Sequence, residues 1–384
     1  MKKIRITLLA LIILINAIFT TGCWNYKEID KMTIVAGAAV DKGKNGQYMV
    51  TVEIVQISGG KDTKKTSKTI TMEGKTIFDA ARNEISLSGK KLYWGHSKVI
   101  ILSKEIASEG VRKALEWYNR DAETREDVHI LISEEASAKE IFDGQGTTDD
   151  IKSFTLDEML SNQVGLSKAP VTDILLFDIE SQTKGMSPII PAVNLKQTDG
   201  KMVPQIMGTA IVKNDKLVGF LNGEETKDLY FIRDDIKGGL LIEEMQSNDG
   251  TTFVSLEIFK NKTKMTPVIE GKNIKINLNI DTIVALAETD SKQNFIDEAG
   301  RIKLEKSMEN TLKERIESLI KKIQSEYVAD IFRFGAKLQE DKNEVWDDVG
   351  NNWEQIFKDL DVTVKITMHI KNSAVLSKSI EEGD

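Results

Sequence analysis

Residues 302–335 read IKLEKSMENTLKERIESLIKKIQSEYVADIFRFG, and residues 361–370 read DVTVKITMHI. The first stretch sets Ile302, Leu304, Met308, Leu312, Ile316, Leu319, Ile323, Tyr327 and Ile331 mostly four apart. That spacing is one stripe on an α-helix of roughly 33 residues, about 50 Å long, with Gly335 placed to end it. The second stretch alternates apolar and polar residues, the mark of a strand with one buried face. Ile320, Val328 and Phe332 make the helical stripe wider than the seam of a two-stranded coiled coil. The pair therefore predicts an α+β fold with one long helix packed as core on a C-terminal sheet.

Working outward, Thr252 to Phe259 and Ile274 to Leu286 alternate in the same way, and Asn214-Asp215 sits as a turn between Ile206–Val212 and Leu217–Leu221. Nearer the start, TIVAGAAV (33–40) and QYMVTVEIVQI (47–57) flank Asn45-Gly46, a strong hairpin signal. Thr76 is placed to cap a helix bearing Ile77, Phe78, Ala81 and Ile85, with Gly89 at its end. Val99–Leu102 is a continuous apolar run suited to a buried strand. Val111, Ala114, Leu115 and Tyr118 mark a second amphipathic helix, and Val128–Ile132 another strand. Helical segments follow around 156–160 and 171–179. Helix and strand thus alternate, which predicts a multi-domain protein with mixed and antiparallel sheets covered by helices. Pro188, Pro191 and Pro204 with Asp199-Gly200 mark a junction between an N-terminal domain, 23–196, and a C-terminal domain, 205–372. The polar stretch DGQGTTDD (143–150) suggests a further subdivision near 144–152.

The first 23 residues are MKKIRITLLALIILINAIFTTGC. A basic start precedes an apolar run of about 14 residues, short of the roughly 20 that span a bilayer. Thr20-Thr21-Gly22-Cys23 resembles the lipobox of bacterial lipoproteins, where the cysteine thiol is acylated and residues 1–22 are removed. Cys23 is the only cysteine, so no disulfide forms within one chain. Two acyl chains at ~0.8 kcal/mol per buried methylene hold a protein at a membrane permanently. The 384 residues carry 52 Lys and Arg against 60 Asp and Glu; losing Lys2, Lys3 and Arg5 leaves 49 against 60, a formal charge of −11. A body that acidic repels phosphate backbones and anionic headgroups, which excludes nucleic acid as a partner and makes surface charge a poor membrane anchor.

Catalytic and metal-binding patterns are missing. His96, His129 and His369 fall on separate strands, none with a second ligand at metal spacing. There is no G-x-S-x-G elbow. S-x-x-K occurs at Ser58, Ser88, Ser181 and Ser318 without a following K-T-G. Gly74-Lys75-Thr76 mimics the end of a phosphate loop, but Thr69 occupies the first glycine position. The chain is expected not to be an enzyme and to carry no cofactor.

Several segments together resemble the Ger(x)C family, the C subunits of the nutrient germinant receptors of spore-forming bacteria. They are Cys23-Trp24-Asn25 with Glu28-Ile29, Asp41 after an apolar strand, Phe78-Asp79-Ala80-Ala81-Arg82, and Tyr93 to Ile100 (YWGHSKVI). Arg120 to Arg125 (RDAETR) follows, then Gly208-Thr209-Ala210, Leu217-Val218-Gly219, Glu224-Glu225-Thr226, Ala329 to Gly335 (ADIFRFG), Trp346 and Trp353. The resemblance implies a lipoprotein on the outer face of the spore inner membrane, lipidated at Cys23, beside integral-membrane A-type and B-type subunits. It also implies a multi-domain α+β body with no catalytic residue to carry over. Trp94, His96, Arg120, Glu123 and Arg125 are candidate partner-docking residues. Trp94 equally suits core packing, and the charged three an ion pair fixing a helix-to-strand turn. Trp346 and Trp353, seven apart, suit one face of a short helix. The other reading is a lipid-anchored extracytoplasmic protein that itself captures a small ligand, near residues 197–205.

Overall fold

The computed structural model describes residues 3–8, 32–58, 64–146, 150–247, 250–271, 273–289, 295 and 297–371. Cys23 and the motif residues 24–29 lie outside that set. Strand β1 (Met32–Lys42) turns back into β2 (Tyr48–Ser58) through Asn45 and Gly46, whose φ angles are 56° and 76°. Both are left-handed, as the tightest hairpins require. Next come β3 (Lys64–Gly74) and helix α1 (Ile77–Asn83), capped by the Thr76 hydroxyl accepting from Asp79 N at 3.0 Å. The expected longer helix breaks at Glu84, and a single turn, α2 (Ile85–Ser88), ends on left-handed Gly89. Phe78 and Ile85, expected inward, are exposed; Ile77, Ala80 and Ala81 form the buried face.

The chain continues through β4 (Lys91–Tyr93), β5 (Val99–Leu102), α3 (Lys104–Glu109), α4 (Val111–Arg120) and β6 (His129–Ser133). Helices α5 (Lys139–Asp143), α6 (Lys152–Ser161) and α7 (Ile174–Gln182) lead into β7 (Ile189–Thr198), β8 (Lys201–Lys213) and β9 (Lys216–Leu221). These strands form one mixed sheet in the order β3-β2-β1-β5-β6-β7-β8-β9, with β4 beside β1. Adjacent residues of β5 and β6 point to opposite faces. Ile100, Leu102, Ile130 and Ile132 pack with Leu115 and Tyr118 of α4 and Phe177 of α7. Val99, Ile101 and Leu131 pack with Ile141 and Phe142 of α5 and Leu156 and Leu160 of α6. Two buried carboxylates seat the second layer. Asp41 accepts from Ala138 N (2.6 Å) and Lys139 N (3.0 Å), and Glu53 from Lys152 N (3.0 Å) and Ser153 N (2.8 Å), each at a helix start with orphan N–H groups.

The proline-marked stretch expected as a junction lies in a hairpin. Gln197 pairs with Met202 and Thr198 with Lys201, and Pro191 and Pro204 sit inside β7 and β8. The first sheet therefore takes in residues up to Leu221, because β8 and β9 complete its edge.

Helix α8 (Gly223–Arg233) opens with a capping box between Asn222 and Glu225. A second sheet, β10-β11-β12-β13, follows, from β10 (Leu240–Ser247), β11 (Gly250–Glu270), β12 (Asn273–Thr289) and the final β13 (Asp361–Lys371). The long helix α9 (Glu298–Lys322) lies across it. Leu304, Met308, Leu312, Ile316, Leu319 and Ile323 are buried with Ile276, Leu278 and Ile280 of β12 and Val364 and Met368 of β13. The stripe is core, but the helix is shorter than its periodicity suggests. A π-helical turn over Ile323–Tyr327 closes it, and Val328, at φ 48°, turns the chain out of line. Helices α10 (Phe334–Asp341), α11 (Asn343–Val349) and α12 (Trp353–Lys358) then lead to β13. Among the described residues no helix is long and apolar enough to cross a membrane.

Candidate functional site

The five candidate docking residues surround one corner of the first sheet. Trp94 follows β4 and is buried, its ring edge-on to Trp117 (4.9 Å between centroids) and Tyr118 (6.1 Å). A Cβ at Gly95 would come within 2.6 Å of the Tyr93 hydroxyl, so any larger residue there would displace the Tyr93 ring. His96 is exposed, edge-on to Tyr93. Arg120 is exposed at the end of α4 and donates to Glu116 Oε1 at 2.7 and 3.1 Å. Glu123 accepts from Lys91 Nζ at 2.8 Å, and Arg125 pairs with Asp127.

Arg120, Glu123 and Arg125 thus each answer a different partner. The helix-to-strand turn is held by hydrogen bonds to the backbone: the Thr124 hydroxyl is shared between Tyr118 O and Asp121 O at 2.5 and 2.6 Å, and Asp121 Oδ1 accepts from Glu123 N at 3.0 Å. Burial pushes the Tyr118 hydroxyl up to about 12, so it stays protonated. Of the five, Arg120 borders a groove of about 510 Å³ with Tyr48, Phe78 and Trp117.

Trp346 and Trp353 do not share a helix, because the turn Gly350–Asn352 separates α11 from α12. Their rings still meet in the core, tilted at 54° with centroids 5.5 Å apart. Trp353 Nε1 donates to Asp330 Oδ2 at 3.0 Å. Asp330 also accepts from Phe332 N, Phe334 N and Gly335 N, at 3.1, 3.2 and 2.7 Å. Burial pushes its carboxyl up to about 6 against those four donors. The same segment grips the first sheet: Asp330 O accepts from Ser187 N at 2.8 Å, and Ala336 N donates to Gly185 O at 3.1 Å. Sequence reading missed this role, although a lone carboxylate inside the apolar run ADIFRFG was the signal.

Next to it lies a buried ion cluster with no sequence signal. Arg233 Nη1 meets Glu180 Oε1 at 3.1 Å, Arg333 Nη2 meets the same oxygen at 2.9 Å, and Arg333 Nη1 faces Asp235 at 3.3 Å. Arg233 Nε donates to Ile331 O at 2.6 Å. Burial holds the Arg233 guanidinium below its ordinary value, but it remains charged. On the far side of α8, Arg315 of α9 binds Asp228 at 2.8 and 3.1 Å, and burial raises Asp228 to about 6. Among the described residues no group of three His, Cys, Asp or Glu side chains is placed to hold a metal ion.

Two sheets with this helical cover, joined through Asp330, define an α+β class already seen in a solved structure, the crystal structure of the GerBC protein. The two align with a TM-score of 0.58 at 23% identity, over 88% of this chain and 97% of that one. Residues 25–195 match the family model described as spore germination protein N-terminal domain, and residues 207–374 match spore germination B3/GerAC like, C-terminal. The chain belongs to this GerAC-like family of spore germination proteins. Spore germination protein B3 of Bacillus subtilis (strain 168) is 27% identical, over 93% of this chain and 95% of its own. Spore germination protein KC of Bacillus subtilis (strain 168) is 21% identical, over 98% of both chains. Spore germination protein GerQC of Bacillus cereus is 22% identical, over 95% and 98%. The two family models divide the chain within hairpin β7/β8, which a single sheet contains.

Proposed function

We propose that this germination protein is the lipid-anchored, non-catalytic C-type subunit of a nutrient germinant receptor. Acylated Cys23 holds it extracytoplasmically, at the outer face of the spore inner membrane, where it supports the integral-membrane A-type and B-type subunits. Tethering raises the effective concentration toward the millimolar range, so weak docking surfaces suffice. The corner around Arg120, Glu123 and Arg125, with the groove beside it, is the docking surface offered to those subunits.

One observation carries the anchoring. Eight residues lie between Cys23 and Met32, a reach of at most about 30 Å. Met32 pairs with Lys91, so β1 starts at the sheet end where Ser58 of β2 pairs with Lys64 of β3. That end is basic and apolar within an acidic protein. Lys65, Lys68 and Lys90 are exposed, and so are Ile57 and Leu87, at 63% and 67%. Lysines near an anionic leaflet contribute about 1 kcal/mol each, which orients a tethered body even where its total charge repels.

Cys23→Ala tests the reading. Fractionation of spores is expected to show the protein leaving the inner-membrane fraction, with the nutrient germination rate falling at least tenfold. A variant that stays with the membrane and germinates normally would remove the anchoring argument.

A further inference from the structure

A cavity of about 690 Å³ opens between the start of α4, residues 185–188, the tip of hairpin β8/β9 and the turn Gly350–Asn352 that leads into α12. It is within the size range of small-molecule sites. Arg112 and Ser187 on its wall belong to the part matched by the N-terminal family model, Val328 and residues 350–355 to the part matched by the C-terminal one.

The charges on this wall cancel, and most are already answered within the chain. Lys213 Nζ meets Glu354 Oε2 at 3.0 Å, and Asn214 Nδ2 donates to Glu354 Oε1 at 3.3 Å. Asp215 Oδ1 accepts from Arg112 N at 2.7 Å, and buried Asp330 has both oxygens filled by its four donors. Arg112 and Lys213 thus balance Asp215 and Glu354, a wall that selects neither an anion nor a cation. The amides of Asn351, Asn352 and Gln355 are different. All three residues are exposed on the wall, and their side chains bond to nothing else among the described residues. Each amide both donates and accepts. The exposed Arg112 guanidinium, also without a partner there, adds donors only.

Backbone strain marks the same place. Val328 takes φ 48°, a left-handed conformation that a β-branched residue very rarely adopts, directly after the π-helical turn. Such strain persists where the surroundings over-determine it, and it gathers at binding sites.

We propose that this cavity binds a neutral polyhydroxylated ring compound, a free saccharide or cyclitol. Its hydroxyls, which also both donate and accept, pair with the amides of Asn351, Asn352 and Gln355. An oxygen accepts from Arg112, and the C–H faces pack on half-buried Met186 and Val328. An apolar ligand would take those amides out of water without replacing their bonds. The occupied cavity ties the two parts of the chain together, a role separate from membrane anchoring and from the corner at Arg120.

The test is calorimetry of the full chain in a polyoxyethylene detergent, which carries no sugar headgroup, with maltose, myo-inositol and cyclohexanol as probes. Saturable binding of either polyol at one per chain is expected, and none of cyclohexanol, which keeps the inositol ring but only one hydroxyl. Asn352→Leu and Gln355→Leu each remove one amide at similar size, and each is expected to weaken the bound polyol at least tenfold at an unchanged melting temperature. Asn351→Trp, which fills the opening, repeats that test should either variant lower the melting temperature. Absence of saturable heat from both polyols in the folded chain would overturn the proposal. So would cyclohexanol binding as tightly as myo-inositol, or undiminished affinity in the amide variants.

Discussion

The two sheets bury themselves in different ways. All four residues of β5 are buried, because helices cover both faces of the first sheet. The strands of the second sheet alternate, because only α9 and its neighbours cover one face. The other face leaves Leu240, Ile242, Phe253 and Phe259 open. In the first sheet, helix cover is distributed over six helices and seated by two separate carboxylates, Asp41 and Glu53. In the second, it depends on one long helix and on the turn after it, where four donors converge on Asp330. Loss of one group is absorbed in the first arrangement and not in the second.

The largest effect follows directly. In Asp330→Asn, the amide nitrogen must face two N–H donors whichever way the group is turned, since each oxygen accepts two. We expect a stability loss of about 3–5 kcal/mol, read by urea unfolding followed through tryptophan fluorescence. Asp41→Asn, with one donor per oxygen at one helix start, is expected to cost about 1–2 kcal/mol. Equal losses would erase the contrast between the two regions.

That contrast was partly legible. Continuous apolar runs at Val99–Leu102 against alternation at 361–370 already state that one strand is covered twice and the other once. Hairpins at Asn45-Gly46 and Asn214-Asp215 were visible because left-handed turns select those residues; Asn214 and Asp215 take φ 49° and 69°. The end of α9 was not visible. Ile331 and Phe332 keep the apolar pattern from within a turn, and left-handed Val328 is a residue that sequence rules never place there. The proline cluster concealed a hairpin, because Pro191 and Pro204 sit inside paired strands, where proline is ordinarily avoided. The Glu180–Arg233–Arg333 ion cluster was beyond reach, because Glu180 lies 53 residues from Arg233 and 153 from Arg333. Only tertiary folding brings them together.

A middle-sized effect concerns charge in the second region. Burial raises Asp228 from 3.8 to about 6, and the Arg315 guanidinium only partly opposes it. An acid whose value is raised on folding binds its proton more tightly in the folded state. The stability gained from that proton is complete below about pH 4 and is lost as the pH rises through about 6. Asp228→Asn cannot titrate. The stability of the natural chain relative to this variant is therefore expected to fall by up to about 3 kcal/mol between pH 4 and pH 7. Unfolding curves at four pH values decide it: a difference that grows with pH means that the Arg315 pairing, not burial, governs the site.

The smallest effect lies on the open face. Ile242 is 57% exposed on edge strand β10, where it pairs with Ser255, and Phe253 is 53% exposed on β11. Apolar area that stays in water after folding contributes nothing when removed, so Ile242→Ser and Phe253→Ser are each expected to change stability by less than about 0.5 kcal/mol. The corresponding change on a doubly covered strand, Ile101→Ala, should cost about 2–5 kcal/mol, because it opens a cavity between β5 and α6. A loss above about 1.5 kcal/mol at Ile242 would mean that this face is covered in solution. The dependence of that loss on protein concentration would then separate a second copy of the chain, which mass action strengthens, from cover supplied within one chain, which it leaves unchanged.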